Sequence, residues 1–340
     1  MPHLPVHCYA AASRLHGAMS EPGLFLRDPD NPIIRAADLP YRASTVFNAA
    51  AFMLDTETGL LLRVEDLRGL SHLTAARSHD GRTGWRFDSQ PTLECDPEHH
   101  PEEVWGIEDP RATWLPEREE WGIAYTAYSR RGPLISLAMS RDFREFTRLG
   151  PAMPPEDKDG ALFPRRFGGR WALIHRPVPV NGPAHIWMSY SPDLRHWGDH
   201  SLLLPAREGA WWDAGKIGLG PPPLETAEGW LILYHGVRRT ASGSLYRLGM
   251  ALLDLEDPRI VLNRTDEWIF GPAEPYERVG DVAGVVFPCG WVAAPERDEL
   301  RLYYGVADSA IALATARLSD VVAFIRSCPR PPMRRATDRP

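Results

Sequence analysis

Apolar and polar positions along the chain recur in one pattern. An apolar run comes first, then a polar or glycine break, then a second run of small and apolar residues. The unit often closes on Ser-x-Asp followed by Trp or Phe. Copies read LLLRVEDLRGLSHLTAARSHDGRTGW (60–85), WGIAYTAYSRRGPLISLAMSRDFREF (121–146) and RWALIHRPVPVNGPAHIWMSYSPDLRHW (170–197). Two further copies are WLILYHGVRRTASGSLYRLGMALLDLEDP (230–258), which ends on Asp-Pro, and LRLYYGVADSAIALATARLSDV (300–321). Spacing within a copy is strand-like: Trp187, Ser189 and Ser191 alternate with Met188 and Tyr190, where a helical solenoid would show apolar residues at i, i+3 and i+4. The copies begin about 50 to 70 residues apart, a period that predicts propeller blades. A β-sandwich with similar hairpins is the alternative.

The expected fold is therefore all-β: a five-bladed β-propeller over residues 46–317. Residues 1–45 are expected to pack on it as an N-terminal extension, with a short helix near Tyr9–Met19. Residues 318–328 read as a short amphipathic helix, and the tail PRPPMRRATDRP, rich in Pro and Arg, as disordered. Five blades leave a narrow axial channel, pinched at one end, that suits a small ligand. The innermost strand of each blade lines it, so functional residues should come once or twice per blade and lie far apart in sequence.

Composition narrows the function classes. The 340 residues are 44% hydrophobic, ample for a large core, and the 28 glycines and 33 prolines are spread as turns between short strands would be. The net charge of −7 argues against nucleic acid as a partner. No apolar stretch reaches the roughly 18 residues of a membrane helix, and MPHLPVHCYAAASRLHG lacks the pattern of a signal peptide. Cys8, Cys95, Cys289 and Cys328 match no zinc or redox spacing. The expectation is a soluble protein of the reducing cytoplasm, with no membrane partner. His99-His100 lies in a Pro/Glu-rich loop without a third ligand, so no metal site is expected. Neither a phosphate-cradling Gly-rich loop nor a G-x-S-x-G nucleophile motif is present.

Candidate chemistry is densest in WGIEDPRATW (105–114). Neighbours on a strand point to opposite faces, so only one of Glu108 and Asp109 should face a given pocket, and Arg111 is placed to hold one carboxylate by a bidentate pair. A surface acid pair with a local salt bridge is the competing reading. Arg63, Arg165, Arg166, Arg176, Lys216 and His235 interrupt or flank apolar strands in separate repeats. Buried charge is costly unless paired, so their recurrence suggests a converging cationic pocket for an anion, against the alternative of side chains snorkelling to solvent. Asn48, Asp213, Asp281 and Tyr234 complete a polar and aromatic set suited to sugar hydroxyls and C–H faces.

Several motifs in order resemble the inverting β-mannoside phosphorylases, glycoside hydrolase family 130. They are VFNAAAF, LLLRVED, SHLTAARSHDG, GIEDPRAT, LFPRRFGGRWALIHRP, WWDAGKIGLGPPPLET, YHGV, GDVAGVVFPCG and YYGVADSAIALAT. The resemblance spans about Asn31 to Leu318. It implies a five-bladed propeller that cleaves a β-mannoside with inorganic phosphate, with inversion, to α-mannose 1-phosphate and an acceptor sugar. The family's proton donor falls on Asp109, acting through the 3-hydroxyl of the mannosyl residue. Its sugar contacts fall on Asn48, Arg63 and Asp281, and its phosphate contacts on Arg165 (or Arg166), Arg176, Lys216 and His235. The implied substrates are a manno-oligosaccharide or mannosyl-sugar and phosphate, with no metal or organic cofactor. Relatives often assemble, so a homo-oligomer is open.

An inverting hydrolase needs two carboxylates, about 6.5–9.5 Å apart, to supply both acid and base. A phosphorylase needs only the acid, since phosphate is already a nucleophile, but must hold a dianion beside the sugar. One acid with a cationic set fits the second pattern. An inverting β-mannosidase on the same fold and a non-catalytic sugar-binding propeller are the alternatives.

Overall fold

Each repeat unit forms the second and third strands of an antiparallel sheet, and five such sheets make the blades of a propeller. The structure, a computed structural model, describes residues 23–241 and 243–332. The expected helix near Tyr9–Met19, Cys8 and the last eight residues of the tail lie outside them. Blade one runs through Thr45–Leu54, Glu57–Glu65, Ser71–Ser78 and Arg86–Phe87. Blade two comprises Ile107–Leu115, Glu120–Ser129, Gly132–Ser140 and Thr147–Pro151. Blade three comprises Asp157–Leu162, Trp171–Pro177, Ile186–Ser191 and Gly198–Leu204. Blade four holds Lys216–Leu219, Gly229–Thr240, Gly243–Leu253 and Val261–Arg264. Blade five holds Val286–Ala294, Glu299–Val306 and Ala310–Arg317, and Leu26–Arg27 and Ile34–Arg35 pair with the last of these. The segment ahead of blade one thus supplies the outer edge of blade five and joins the two ends of the ring.

The Ser-x-Asp signature has a local cause. Asp80 Oδ1 accepts the backbone N–H groups of Arg82 and Thr83, and Asp142 those of Arg144 and Glu145. Asp193 does the same for Arg195 and His196. Asp254 does so for Glu256 and Asp257 in the copy that ends on Asp-Pro. Each is an Asx-type turn that reverses the chain between the third strand and the fourth. The following indole closes the turn, with Trp85 Nε1 and Trp197 Nε1 donating to the carbonyls of Arg82 and Leu194.

Apolar side chains fill the five seams between blades. Leu231, Leu233 and Leu248 meet Leu300, Leu302 and Tyr304 across one seam. The opposite face of the same strand sends Trp230, Ile232 and Tyr234 toward Ile174, Met188 and Phe163 of blade three. Both faces of such strands are buried, which is why they read as near-continuous apolar runs. The helix Leu318–Ser327 lays Val321 and Ile325, four apart, onto the seam of blades four and five.

The innermost strands depart from regular pairing at one place each in four blades. The register slips between Phe47 and Ala50, Glu108 and Arg111, Lys158 and Ala161, and Pro288 and Gly290. Asn48, Asp109 and Asp159 sit in the first three bulges at φ of 49°, 49° and 57°. Asn and Asp tolerate the left-handed region better than other side-chain-bearing residues, and a bulge re-aims a side chain. Three polar groups are turned by the same device at equivalent points round the channel.

Candidate active site

Asp109 is the centre of the polar cluster at the channel. Its Oδ1 accepts hydrogen bonds from Asn48 Nδ2 and from Arg63, each at 2.9 Å. Oδ2 has no hydrogen-bonding partner among the described residues, leaving one oxygen of the carboxylate open. Burial pushes the Asp109 carboxyl up, but the charges of Arg63, Lys158 and Arg111 and the Asn48 bond outweigh it and hold it below the usual carboxylate range. Arg63 is itself oriented by Ser71 at 3.0 Å and by the Phe47 ring, 4.4 Å beneath its guanidinium.

Two expectations about this segment are corrected. Glu108 and Asp109 do not face opposite ways: Glu108 contacts Arg63 at 3.1 Å and Lys158 at 3.2 Å, so both acids serve one cluster. The bulge breaks the alternation on which that expectation rested. Arg111 does not clamp a carboxylate bidentately either. It donates to the backbone carbonyls of Asp109, Leu219 and Gly220, and only one contact, at 3.5 Å, reaches Asp159. It staples blade two to blade four.

A second carboxylate organises the other half. Asp159 Oδ2 lies 2.8 Å from Arg176 Nε and 3.6 Å from His235 Nε2. Burial raises its pKa, and Arg176, His235 and Arg111 more than reverse that, so it is firmly ionised. The strand opposite must approach closely: a Cβ at Gly218 would collide with Asp159 and His235. His235 is not the cation the sequence suggested. Desolvation lowers its pKa to about 3 against the pull of Asp159, so near pH 7 the ring is neutral. Its Nδ1 is buried without a partner. The half-buried Lys216 ammonium has no carboxylate partner among the described residues and lies 5.4 Å from the Tyr246 ring.

The structure therefore unites Asn48, Arg63, Asp109, Arg176 and His235 through one chain of contacts, with Lys216 beside it. It separates others. Asp213 and Tyr234 are fully buried, and Arg264 donates to both at 2.8 and 3.0 Å, so they brace blade four and are corrected as sugar contacts. Arg165 binds the Leu255 carbonyl at 2.6 Å and Glu256 at 3.3 Å, and Arg166 binds Glu117 at 2.8 Å. Neither joins the cluster, and both are corrected as phosphate contacts. Asp281, by contrast, is exposed at the edge of the cluster, where its backbone N–H binds Ser309 Oγ at 3.1 Å and its charge acts on Asp308.

Lys158, Asp159 and Asp308 escaped sequence reasoning. DKDGALF reads as a charged loop ahead of LFPRR, yet Asp159 is the counterpart of Asp109 one blade on. Asp308 sits in the turn between the last two strands of blade five. Burial, then the charges of Asp109, Asp281 and Glu108, push its carboxyl up to about 6 against Arg63. A raised folded-state value means that its favourable contribution is complete below the unfolded value and is lost as pH rises through about 6. Asp308→Asn should therefore gain on the parent chain by up to about 2 kcal/mol between about pH 4 and pH 7.5. Urea midpoints at the two pH values measure this; a constant difference would show that the group does not titrate in that window.

Fold and cluster together define a propeller enzyme that acts on glycosidic bonds. The chain belongs to glycoside hydrolase family 130: the family model, described as beta-1,4-mannooligosaccharide phosphorylase, matches residues 30–327. The chain is 34% identical over 306 residues to the beta-1,4-mannooligosaccharide phosphorylase of Ruminococcus albus, covering 87% of this chain and 89% of that protein. It is 39% identical over 257 residues to the beta-1,2-mannobiose phosphorylase of Listeria innocua, covering 75% and 69%. The solved complex of beta-1,2-mannobiose phosphorylase from Listeria innocua with beta-1,2-mannobiose superposes with a TM-score of 0.79 at 31% identity, covering 88% of this chain and 99% of that one.

Proposed function

We propose that this chain is a phosphorylase of β-mannosides, taking a mannosyl-sugar or manno-oligosaccharide and inorganic phosphate to α-mannose 1-phosphate and a shortened acceptor. One observation carries the assignment: Asp109, whose Oδ2 is left open, shares its cluster with two nitrogens that no protein group engages among the described residues, Lys216 Nζ and His235 Nδ1. Asn48, Arg63 and Asp109 hold the mannosyl residue. Arg176, Lys216 and neutral His235 receive phosphate, Lys216 by charge and His235 by hydrogen bonding.

In the reaction a phosphate oxygen attacks the anomeric carbon from the face opposite the leaving oxygen. The glycosidic C–O bond breaks as the new C–O–P linkage forms, which inverts β to α. The leaving oxygen takes a proton from the sugar 3-hydroxyl, which Asp109 replenishes. The charges of Arg63, Lys158 and Arg111 hold Asp109 ionised, so it must gain that proton as substrates enter. Phosphate arriving among the cations offsets the charges that depress its pKa and favours uptake. No step calls on a metal or organic cofactor.

A cytoplasmic setting fits the described cysteines, Cys95, Cys289 and Cys328, all of which are free. Among the described residues no helix is long and apolar enough to cross a membrane.

Incubation with β-mannobiose, with and without phosphate, tests the reading. Mannose 1-phosphate formed only with phosphate supports it; free mannose released at the same rate without phosphate replaces it with a hydrolase. In Lys216→Ala the phosphate KM should rise about tenfold or more while the sugar KM moves little, and equal effects on both would remove the phosphate role.

A further inference from the structure

The propeller face on which the innermost strands begin carries a second concave surface, outside the catalytic cluster. A cavity of about 780 Å³ opens on the rim of blade four, between Trp211, Trp212, Trp268, Arg238, Glu208 and Glu267. The segments that form it lead into the innermost strands of blades four and five, so it shares the side of the ring on which Lys216 lies. A second hollow of about 710 Å³ shares Ala210 and Arg238 with it and reaches Gly215, the neighbour of Lys216. The two hollows share a wall and run from the rim to Gly215, the residue before Lys216.

The indoles in this groove are held as platforms. Trp211 and Trp268 are 43% and 50% exposed, where a large aromatic surface is costly to leave in water. Each has a guanidinium over its ring: Arg207 at 4.3 Å from Trp211, and Arg247 at 4.9 Å from Trp268. One face of each indole is thereby covered and the orientation of the ring fixed. Arg207 is tied in turn to the Asp266 carbonyl at 2.9 Å and to its carboxylate at 3.1 Å. Trp212 forms the floor, stacked on Tyr234 and donating from Nε1 to the Asp266 carbonyl at 2.8 Å. The Glu208 and Glu267 carboxylates and the Arg238 guanidinium are exposed and make no ion pair among the described residues, so polar groups flank the indole faces.

Flat apolar faces with carboxylates and a guanidinium at their edges match a pyranose, which presents C–H faces and equatorial hydroxyls. We propose that the Trp211–Trp212–Trp268 groove is a distal binding platform for the far sugars of a manno-oligosaccharide whose end occupies the catalytic cluster. The proposal rests on the sugar specificity inferred above but not on phosphorolysis. Energy gained on remote sugars favours longer chains without touching the reacting bond.

The test measures binding alone, on the Asp109→Asn protein without phosphate, so the outcome is independent of whether the parent chain makes mannose 1-phosphate. Calorimetric titrations with β-1,2- and β-1,4-linked mannobiose and mannotetraose give the affinity gained per added length in each series. In the series that binds, the tetrasaccharide should bind about tenfold or more tighter than the disaccharide, and adding Trp211→Ala or Trp268→Ala should erase about tenfold of that gain. Trp114→Ala, which removes an exposed indole on another blade, should leave the gain in place. Affinity independent of length in both series, or a gain untouched by both rim variants, overturns the proposal. So does choline binding that exceeds tetrasaccharide binding and is lost in Trp268→Ala, since the indoles would then form a cage for a quaternary cation.

Discussion

Asp109→Asn is expected to lower kcat by at least about 10²-fold, the scale of general acid catalysis. Asparagine keeps the shape of the side chain and can still accept the Asn48 and Arg63 bonds at Oδ1, so the sugar pocket stays formed. What is lost is the open oxygen that carries a proton. Loss in kcat should therefore exceed any rise in the sugar KM. Steady-state phosphorolysis rates check this, and turnover within a few-fold of the parent chain would remove Asp109 as the proton source. Glu108 is not placed to substitute, because both of its oxygens are engaged, one by Arg63 and the other by Lys158.

The second large effect is structural. Asp159→Ala should destabilise the fold by about 3–5 kcal/mol, the usual cost of leaving a buried cation without its partner. Arg111 and Arg176 are buried to 1% and 6% exposure, and both point a guanidinium nitrogen at this carboxylate. The deficit also has a pH signature. The folded-state pKa of Asp159 is depressed, so its contribution is present above the ordinary carboxylate value and is lost as the carboxyl protonates at low pH. The gap between variant and parent should therefore narrow on the acid side. Urea unfolding near pH 7 and near pH 3 measures both features. A variant within about 0.5 kcal/mol of the parent at neutral pH would mean that the arginines find other acceptors.

The repeat was legible because its cause is local. An aspartate that closes a turn on its own backbone, and strands apolar on both faces, leave their mark in the order of residues. That Asp142 and Asp193 recur after a serine, each followed by Phe or Trp, reports the same turn twice. The polar cluster at the channel was legible in half. Arg63 and Arg176 stood out as charges within apolar strands, and Asp109 through its motif. Lys158 and Asp159 did not, because a run of alternating charge resembles a solvated loop until the strand is seen to bulge inward. Arg165 and Arg166 misled for the opposite reason: they flank an apolar strand but leave it toward the outside, where Leu255, Glu256 and Glu117 hold them.

By itself, then, the order of residues determined the class of fold and the number of blades, while Asp109 was singled out as the candidate acid by the resemblance of its motif. Fold class and blade number depend on short-range patterns of burial and turn formation. The facing of each polar group depends on where a strand slips register and on what the next blade offers. Asp109 and Glu108 share Arg63 because one bulge places them on one side. His235 is neutral because it is fully buried, against Phe287 and among the charges of Arg176, Lys216 and Arg111. Asp213 is a brace because Arg264, some fifty residues away in sequence, arrives beside it. Such contacts join residues far apart along the chain, and only the closed ring brings them within reach of one another.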